Sequence, residues 1–296
     1  MKKVIKLKVV VILGQTATGK SDLAVKIAKK VGGEVISADS RQVYRGLNLG
    51  TGKITKKEMC GVPHFLLDVA NAKKKFTVAQ YKKLADKKIK EIISRGKIPI
   101  ICGGTGFYID AVVNGIIFPE VPPNNKLRKI LDKKTASQLF EILKKLDKVR
   151  AKNIDSKNKV RLIRAIEITK ALGKVPKISV SKPEYNFLKI GLYLPSEILK
   201  RKIEKRLLIR IKFGMLKEIK NLHKNGLSWK RMEELGLEYR YVAFYLQNKI
   251  TKEKMLKKLN SEICKYAKRQ MTYFKRDKEI KWFDASKKYF SKIKSL

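Results

Sequence analysis

Short apolar runs alternate with amphipathic stretches over the first third of the chain, a pattern typical of a parallel sheet connected by helices. The run KVVVIL at residues 8–13 predicts a buried strand, and apolar residues at helical spacing follow from Ser21 onward. A second apolar run ends at Asp39, and a third, KIPIICGGTG, follows a predicted helix over residues 78–93. Open parallel sheets bind ligands at the carboxyl ends of their strands, so we expect Asp39 and Thr105 at that edge.

The pattern changes at FPEVPPNN, residues 118–125, where three prolines interrupt regular structure. From Asn125 to Leu172 the apolar residues recur at helical spacing, and Gly173 is predicted to end the last helix. The segment GKVPKISVSKPEYN is predicted to be a returning loop. The apolar run at 187–194 and the segment KWFDA near the end are predicted to be further strands.

Between the first strand and the first helix stands a phosphate-binding motif, G-x-x-x-x-G-K-S. Its backbone N–H groups surround a diphosphate, its lysine neutralises the charge, and its hydroxyl reaches Mg²⁺. The motif does not specify what the phosphates are attached to, and most such loops hold ATP. The predicted diphosphate ligands are Gly14, Gln15, Thr16, Ala17, Thr18, Gly19, Lys20 and Ser21, with Ser21 also the Mg²⁺ ligand, partly through water.

Strand, glycine loop and helix in this order predict an α/β protein with a P-loop NTPase-like core. We expect a three-layer parallel sheet formed by residues 1–117 and 188–296. A helical insertion domain is predicted over residues 118–187.

Charge and cysteine content narrow the class of partner and compartment. Lys and Arg total 71 against 26 Asp and Glu, a formal net charge of +45. This favours a polyanionic partner such as nucleic acid, or an anionic membrane surface, although a lysine bias coating every solvated face is the alternative. No stretch approaches the ~20 apolar residues of a membrane span. The separated Cys60, Cys102 and Cys264 fit structural thiols in a reducing compartment, so a cytoplasmic protein is expected.

The segment after the second predicted strand is rich in recognition chemistry. Asp39 could be a Walker-B-like carboxylate that holds Mg²⁺ through water. The residues that follow, SRQVYRG, combine donors, acceptors and an aromatic ring, which is what recognition of a nucleobase requires. A solvated loop is the alternative for this stretch.

Taken together, these motifs resemble the tRNA dimethylallyltransferases, also called tRNA isopentenyltransferases. Members of that family transfer a dimethylallyl group from its diphosphate to N6 of the adenosine just 3′ of the anticodon, in tRNAs reading codons that start with U. The resemblance implies a prenyl diphosphate in the P-loop, with Mg²⁺. It is carried by GQTATGKS at 14–21, ADSRQVYRGLNLGTGK at 38–53, GVPHFLLDV at 61–69, CGGTGFYI at 102–109, VRLIRAIE at 160–167 and YAKRQMTYFKRD at 266–277.

The resemblance also implies catalytic roles. Asp39 matches the general base that accepts a proton from the adenine amine, and Thr105 matches a position near the reaction centre. Lys20 and Arg206 would face the diphosphate. Because a stacked base cannot reach a buried donor, the adenine must be extruded into the site.

For RNA binding the resemblance implies two groups of residues. Asp39, Ser40, Arg41, Gln42 and Thr105 would contact the adenosine. The insertion domain would grip the anticodon stem-loop, and Arg161 and Arg164, three apart on a predicted helix, would share one face. The predicted contacts to the remaining RNA are Arg128, Arg161, Arg164, Arg240, Arg269 and Gln270, with Tyr239 and Lys268 beside them.

Two other functions remain compatible with the motifs. An adenylate isopentenyltransferase, which prenylates AMP, ADP or ATP, would share the loop and the base but has less use for the insertion and the basic surface. A P-loop kinase or ATPase would use only the loop. A monomer that binds tRNA and dimethylallyl diphosphate, and no membrane, is the expected form.

Overall fold

The computed structural model describes residues 8–177, 179–181, 185–288, 290 and 293. The chain divides into two compact units, one of residues 1–115 with 182–296 and one of residues 116–181. The predicted boundaries were at 118 and 187.

The elements follow one another in a regular order along the chain. The strands are β1 (Lys8–Gly14), β2 (Gly33–Ser37), β3 (His64–Phe65), β4 (Ile98–Cys102), β5 (Ile116–Ile117), β6 (Ser179–Val180), β7 (Asn186–Tyr193) and β8 (Lys281–Asp284). The helices are α1 (Lys20–Val31), α2 (Lys56–Met59), α3 (Val78–Ser94), α4 (Gly106–Val113), α5 (Asn125–Leu131), α6 (Ala136–Leu146), α7 (Lys148–Lys152), α8 (Lys159–Leu172), α9 (Ser196–Lys212), α10 (Met215–Lys224), α11 (Trp229–Leu235), α12 (Leu237–Leu246) and α13 (Lys252–Phe274).

The first unit contains a six-stranded sheet in the order β3-β2-β4-β1-β7-β8, and every pairing in it is parallel. Strand β1 lies between β4 and β7, with Val10 opposite Ile100 on one side and Leu188 on the other. Parallel neighbours need helical crossovers, which agrees with the alternation of apolar runs and amphipathic stretches. The strands predicted at 187–194 and near the end are confirmed as β7 and β8.

Both faces of this sheet are buried, because successive residues of β1 enter different cores. Val9, Val11 and Leu13 pack in one cluster with residues of α3, α4, α9 and α13. Val10 and Ile12 pack in the other cluster with residues of α1. Two-sided burial explains why β1 is a continuous apolar run rather than an alternating one. The predicted three-layer α/β architecture is confirmed.

The second unit consists of α5 to α8 and a two-stranded ladder. Its core is formed by Leu139, Leu143, Leu162 and Ile166, so the helical periodicity is confirmed. Helix α8 ends at Gly173, which has a φ of +77°.

The segment predicted to be a plain loop contains β6, which pairs antiparallel with β5, so this part of the prediction is wrong. The ladder joins the two ends of the second unit, and the observed division therefore falls at 116 and 181. Four residues at or near this segment, 178 and 182–184, lie outside the described part, as do residues 1–7 before β1.

Within the described part of the chain, no helix combines the length and apolar content needed to span a bilayer. The three cysteines are free thiols, and Cys102 is buried in β4. Burial raises the pKa of Cys102 to about 12, so this residue is a neutral thiol.

Candidate active site

The phosphate-binding loop leaves the carboxyl end of β1 and enters α1 at Lys20. Gly19 caps the helix in the left-handed conformation, and Ala17 also has a positive φ of 62°. The hydroxyl of Thr18 donates to the carbonyl oxygen of Gln15 over 2.8 Å, which closes the loop on itself. The motif predicted from sequence therefore has the strand-loop-helix context that anion binding requires.

The lysine of this loop is enclosed and shares an electrostatic environment with two other predicted residues. Lys20 Nζ donates to the carbonyl oxygen of Gln15. The pKa of Lys20 is lowered to about 8, mainly by burial and to a smaller extent by Arg206, while Cys102 and Asp39 oppose the shift. A cation with a depressed pKa next to a second cation is held where an anionic ligand would be strongly favoured.

Asp39 follows β2 by two residues, at the carboxyl edge of the sheet. Its Oδ1 accepts hydrogen bonds from the backbone N–H groups of Arg41, at 2.8 Å, and Gln42, at 3.2 Å. Among the described residues Oδ2 accepts no hydrogen bond from the protein. The turn therefore fixes the carboxylate through one oxygen.

Thr105 follows β4, the strand beside β2, and is tied to the Asp39 turn. Its Oγ1 accepts a hydrogen bond from Ser40 N–H over 3.0 Å, and its own N–H donates to the Ala38 carbonyl oxygen over 3.1 Å. The two segments expected at one edge of the sheet are thus in direct contact.

Arg206 lies on α9 and reaches the phosphate-binding loop. Its Nη2 donates to the Gly52 carbonyl oxygen over 3.2 Å, and its Nη1 is 3.5 Å from the Thr16 hydroxyl oxygen. Burial lowers the pKa of Arg206, and neighbouring Arg210 lowers it further. The structure therefore brings Lys20, Arg206 and Asp39 into one site, although they are far apart in sequence.

Two predicted adenosine contacts are anchored in the protein. Arg41 Nε donates to the Leu235 carbonyl oxygen over 2.7 Å. Gln42 Nε2 donates to the Gly52 carbonyl oxygen over 3.4 Å. Their roles toward adenosine stay predictions.

Gln270 on α13 is only 6% exposed, and both ends of its amide are used inside the protein. Its Oε1 accepts from Thr16 N–H over 2.8 Å, and its Nε2 donates to the Gly104 carbonyl oxygen over 2.9 Å. This placement suits a residue that holds loops rather than one that contacts RNA. Nearby Arg269 is exposed, with its guanidinium 6.0 Å from the ring centre of Tyr266.

In the second unit, a buried carboxylate gathers two of the three predicted RNA-binding arginines. Glu167 is 2% exposed and accepts hydrogen bonds from Arg128 Nε and Nη2, at 2.9 and 2.8 Å. It also forms an ion pair with Arg164. Arg161 is exposed, so the two arginines expected on one face differ in environment. Glu167 was not predicted, although an acid three positions after Arg164 on a helix is a recognisable pairing signal.

A second carboxylate missed by sequence reasoning is Glu218, on α10. It accepts from the backbone N–H groups of Asn48, Leu49 and Gly50 at 3.2, 2.7 and 3.1 Å. It also accepts from the hydroxyl of Tyr239, which is 2% exposed and therefore packed in the core. No motif marks this residue, because its partners are backbone groups distant in sequence.

Arg240, by contrast, is exposed. Its Nε donates to the carbonyl oxygen of Glu233 over 2.9 Å.

A phosphate-binding loop whose lysine interacts with a second half-buried cation, Arg206, and with the carboxylate of Asp39 is the arrangement expected of a group-transfer enzyme that acts on a diphosphate. A family model described as IPP transferase matches residues 42–277. The chain belongs to the IPP transferase family.

Relatives and solved structures agree with this assignment over most of the chain. The tRNA dimethylallyltransferase 2 of Treponema denticola is 44% identical over 272 residues, which cover 90% of this chain and 91% of the relative. The tRNA dimethylallyltransferase of Carboxydothermus hydrogenoformans is 39% identical, covering 97% and 94%.

The crystal structure of a full-length tRNA isopentenylpyrophosphate transferase from Bacillus halodurans matches with a TM-score of 0.74 and 34% identity, covering 98% of this chain and 94% of that one. A eukaryotic dimethylallyltransferase acting on tRNA matches with a TM-score of 0.83 and 25% identity, covering 98% and 77%.

Proposed function

We propose that this protein transfers the dimethylallyl group of dimethylallyl diphosphate to N6 of the adenosine just 3′ of the anticodon, in tRNAs that read codons starting with U. The two products are N6-dimethylallyladenosine in the tRNA and free diphosphate. The observation that carries the proposal is the placement of Lys20 and Arg206 with Asp39 in one charged site, in a chain of the IPP transferase family.

The cations serve the leaving group. As the carbon–oxygen bond of the donor breaks, negative charge develops on the diphosphate oxygens. Lys20, Arg206 and the N–H groups of the loop are positioned to stabilise that charge, and a single preorganised donor of this kind is typically worth roughly 10² to 10³ in rate.

The residues present also fit Mg²⁺ brought in by the diphosphate. Ser21 directly follows Lys20 in the first turn of α1 and is exposed, and its hydroxyl is the hard oxygen donor that Mg²⁺ prefers. When bound, the ion would neutralise the diphosphate. The protein would contribute Ser21 Oγ as a ligand, partly through water.

Asp39 serves the acceptor. The lone pair of the adenine amine is delocalised into the ring, so the amine is a weak nucleophile. Asp39 accepts the N6 proton while nitrogen attacks the allylic carbon, the carbon–nitrogen bond forms, and diphosphate leaves with the electrons of the carbon–oxygen bond. General-base catalysis of this kind contributes about 10² to 10⁴.

RNA binding uses two groups of residues, those beside Asp39 in the active site and exposed arginines. Ser40, Arg41, Gln42 and Thr105 surround the adenine once it is extruded from the loop. The exposed Arg161, Arg240 and Arg269 are available to phosphates, which position the RNA without selecting its sequence. The net charge of +45 would also attract the negatively charged RNA at long range.

The test is incubation of the purified protein with dimethylallyl diphosphate, Mg²⁺ and unmodified tRNA, followed by mass analysis of the nucleosides. N6-dimethylallyladenosine in tRNA supports the proposal. Prenylation of added AMP in place of tRNA would instead indicate an adenylate isopentenyltransferase. ATP hydrolysis with no prenylation would indicate a P-loop kinase or ATPase. The same preparation gives the oligomeric state by light scattering, for which a monomer is expected. A cytoplasmic location, where unmodified tRNA is found, follows from this substrate.

A further inference from the structure

Helix α13 contacts both the phosphate-binding loop, called the donor loop below, and the Gly104–Thr105 segment through the buried side-chain amide of Gln270. We propose that Gln270 is a positioning residue that couples the phosphate-binding loop to the segment bearing Thr105. Binding of the donor and alignment of the general base Asp39 therefore depend on each other. The inference rests on the proposed function, because it concerns the same site.

The first half of the coupling is the bond between Gln270 Oε1 and Thr16 N–H, at 2.8 Å. Thr16 is the third residue of the loop, and its hydroxyl oxygen is 3.5 Å from Arg206 Nη1. An amide that fixes the Thr16 backbone therefore also fixes the side of the loop that faces Arg206. Gln270 is 6% exposed, so an unpaired partner here would be costly.

The second half is the bond between Gln270 Nε2 and the Gly104 carbonyl oxygen, at 2.9 Å. The fit is close enough that a Cβ at position 104 would lie 2.3 Å from that nitrogen. The next residue, Thr105, accepts from the N–H of Ser40, which is adjacent to Asp39. Direct contacts thus connect the donor loop to the turn that carries the base.

A further contact from the same helix supports the assignment. Gln15 Nε2 donates to the Ala267 carbonyl oxygen over 3.3 Å, one turn before Gln270 on α13. Two adjacent residues of the loop, Gln15 and Thr16, are therefore tied to one face of this helix. A side chain whose task was to contact RNA would not need both ends of its amide bonded to loop backbone.

The decisive variant is Gln270→Met, which keeps the length of the side chain and removes both hydrogen bonds. We expect the affinity for dimethylallyl diphosphate, titrated without RNA, to weaken about tenfold, the scale of one hydrogen bond to a partner left unsatisfied. We expect kcat to fall as well, because the Thr105 segment loses its link to the loop. The Kd for an anticodon stem-loop should be unchanged.

Gln247→Met is the matched control. Gln247 is a half-buried glutamine directly after the last residue of α12, and its Nε2 donates to the Ala243 carbonyl oxygen of that same helix rather than to a loop. It should alter neither donor affinity nor kcat. Weaker RNA binding with normal donor affinity in Gln270→Met would overturn the proposal in favour of a direct RNA contact. The proposal would also be overturned if Gln270→Met left donor affinity and kcat unchanged. The same holds if the variant only lowered Tm and the folded protein kept the wild-type donor affinity and kcat.

Gly104→Ala tests the same contact from the other side and keeps the amide. Its effect on donor affinity should resemble that of Gln270→Met, and the double variant should lose less than the sum of the two, because both changes remove one interaction. Additive losses would overturn the coupling. Wild-type protein that binds the donor but prenylates no tRNA would refute the proposed function instead, so the two failures are distinguishable.

Discussion

Arg206 and Gly52 are in such close contact that position 52 has no room for a side chain while Arg206 keeps its place. Arg206 Nη2 donates to the Gly52 carbonyl oxygen over 3.2 Å, and a Cβ on Gly52 would lie 2.2 Å from the same nitrogen. The backbone of the loop after Asp39 therefore sets where the guanidinium points.

This contact predicts that Gly52→Ala displaces Arg206 and slows transfer by about tenfold or more, the scale of one misplaced donor to a developing anion. Gly61→Ala is the matched control. Both glycines have a positive φ, 58° and 82°, but a Cβ on Gly61 would meet no atom within 4 Å. Both variants should lose similar stability, about 1–2 kcal/mol, from the backbone conformation. Equal kcat values in steady-state assays of the two variants would contradict the contact's role.

The carboxylate of Glu167 is expected to stabilise the second unit. Burial raises the pKa of Glu167, but hydrogen bonds from Arg128, Arg164 and the Asn124 N–H outweigh that effect and lower the pKa below its ordinary value. Glu167→Gln should lower the free energy of unfolding by about 1–3 kcal/mol, allowing for the partial exposure of both arginines.

The pH dependence of this effect has a definite sign. A carboxyl whose pKa is lowered on folding adds stability above its unfolded pKa of about 4.3, and loses it as pH falls through the folded value. The difference between wild type and Glu167→Gln in urea unfolding should therefore shrink under acidic conditions. Glu141→Gln, at an exposed position of α6, is the control. A difference that stays constant at acid pH would contradict the assignment.

Arg161 and Arg164 should separate RNA binding from stability. Arg161 is exposed, so Arg161→Ala should weaken binding of an anticodon stem-loop and reduce the slope of log K against log salt by about one, without a change in Tm. Arg164→Ala should lower Tm as well, because it leaves Glu167 with one arginine. Arg201→Ala, on α9, controls for loss of a charge. An unchanged salt slope for Arg161→Ala would make that residue an ordinary solvated arginine.

The layers of the fold were predictable because they depend on local patterns. The runs VVVIL in β1 and IPIIC in β4 are apolar throughout, as two-sided burial requires, and Gly173 caps α8 where its position after the last periodic residue indicated. The ladder of β5 and β6 was not predictable. Two residues on each side carry no periodicity, and their pairing depends on a contact across the whole insertion.

The site was predictable only where a motif named the residue. The loop and the acid after the second strand were identified from spacing and resemblance, whereas Glu218 acts through distant backbone partners that no local pattern reveals. For Glu167 the spacing to Arg164 is a local signal, but the pairing with Arg128 is not. Gln270 illustrates the limit most clearly. The surrounding sequence block suggested that Gln270 contacts RNA. Only the position of α13 in the structure shows that its side chain is buried against Thr16 of the phosphate-binding loop.

Asp39→Asn should remove the base while keeping the turn. The asparagine retains Oδ1, which accepts from the N–H groups of Arg41 and Gln42. We expect RNA affinity and Tm near wild type and a fall in single-turnover transfer of about 10² to 10⁴. Asp86→Asn, in a surface pair with Lys82, is the control. Transfer at the wild-type rate would exclude Asp39 as the base.

The pH profile of donor use should report Lys20. Burial lowers its pKa to about 8, so the free protein loses this charge as pH rises through that value. The logarithm of kcat/KM for dimethylallyl diphosphate should therefore fall above about pH 8, because kcat/KM follows the ionisation of the free enzyme. Lys20→Met should start lower and show no inflection there, whereas Lys20→Arg, which stays charged, should keep part of the activity and also lose the inflection. Bound diphosphate favours the charged lysine, so the kcat profile should shift to higher pH than the kcat/KM profile. The same inflection in Lys20→Met would assign it to another group and remove Lys20 as the charge that binds the donor.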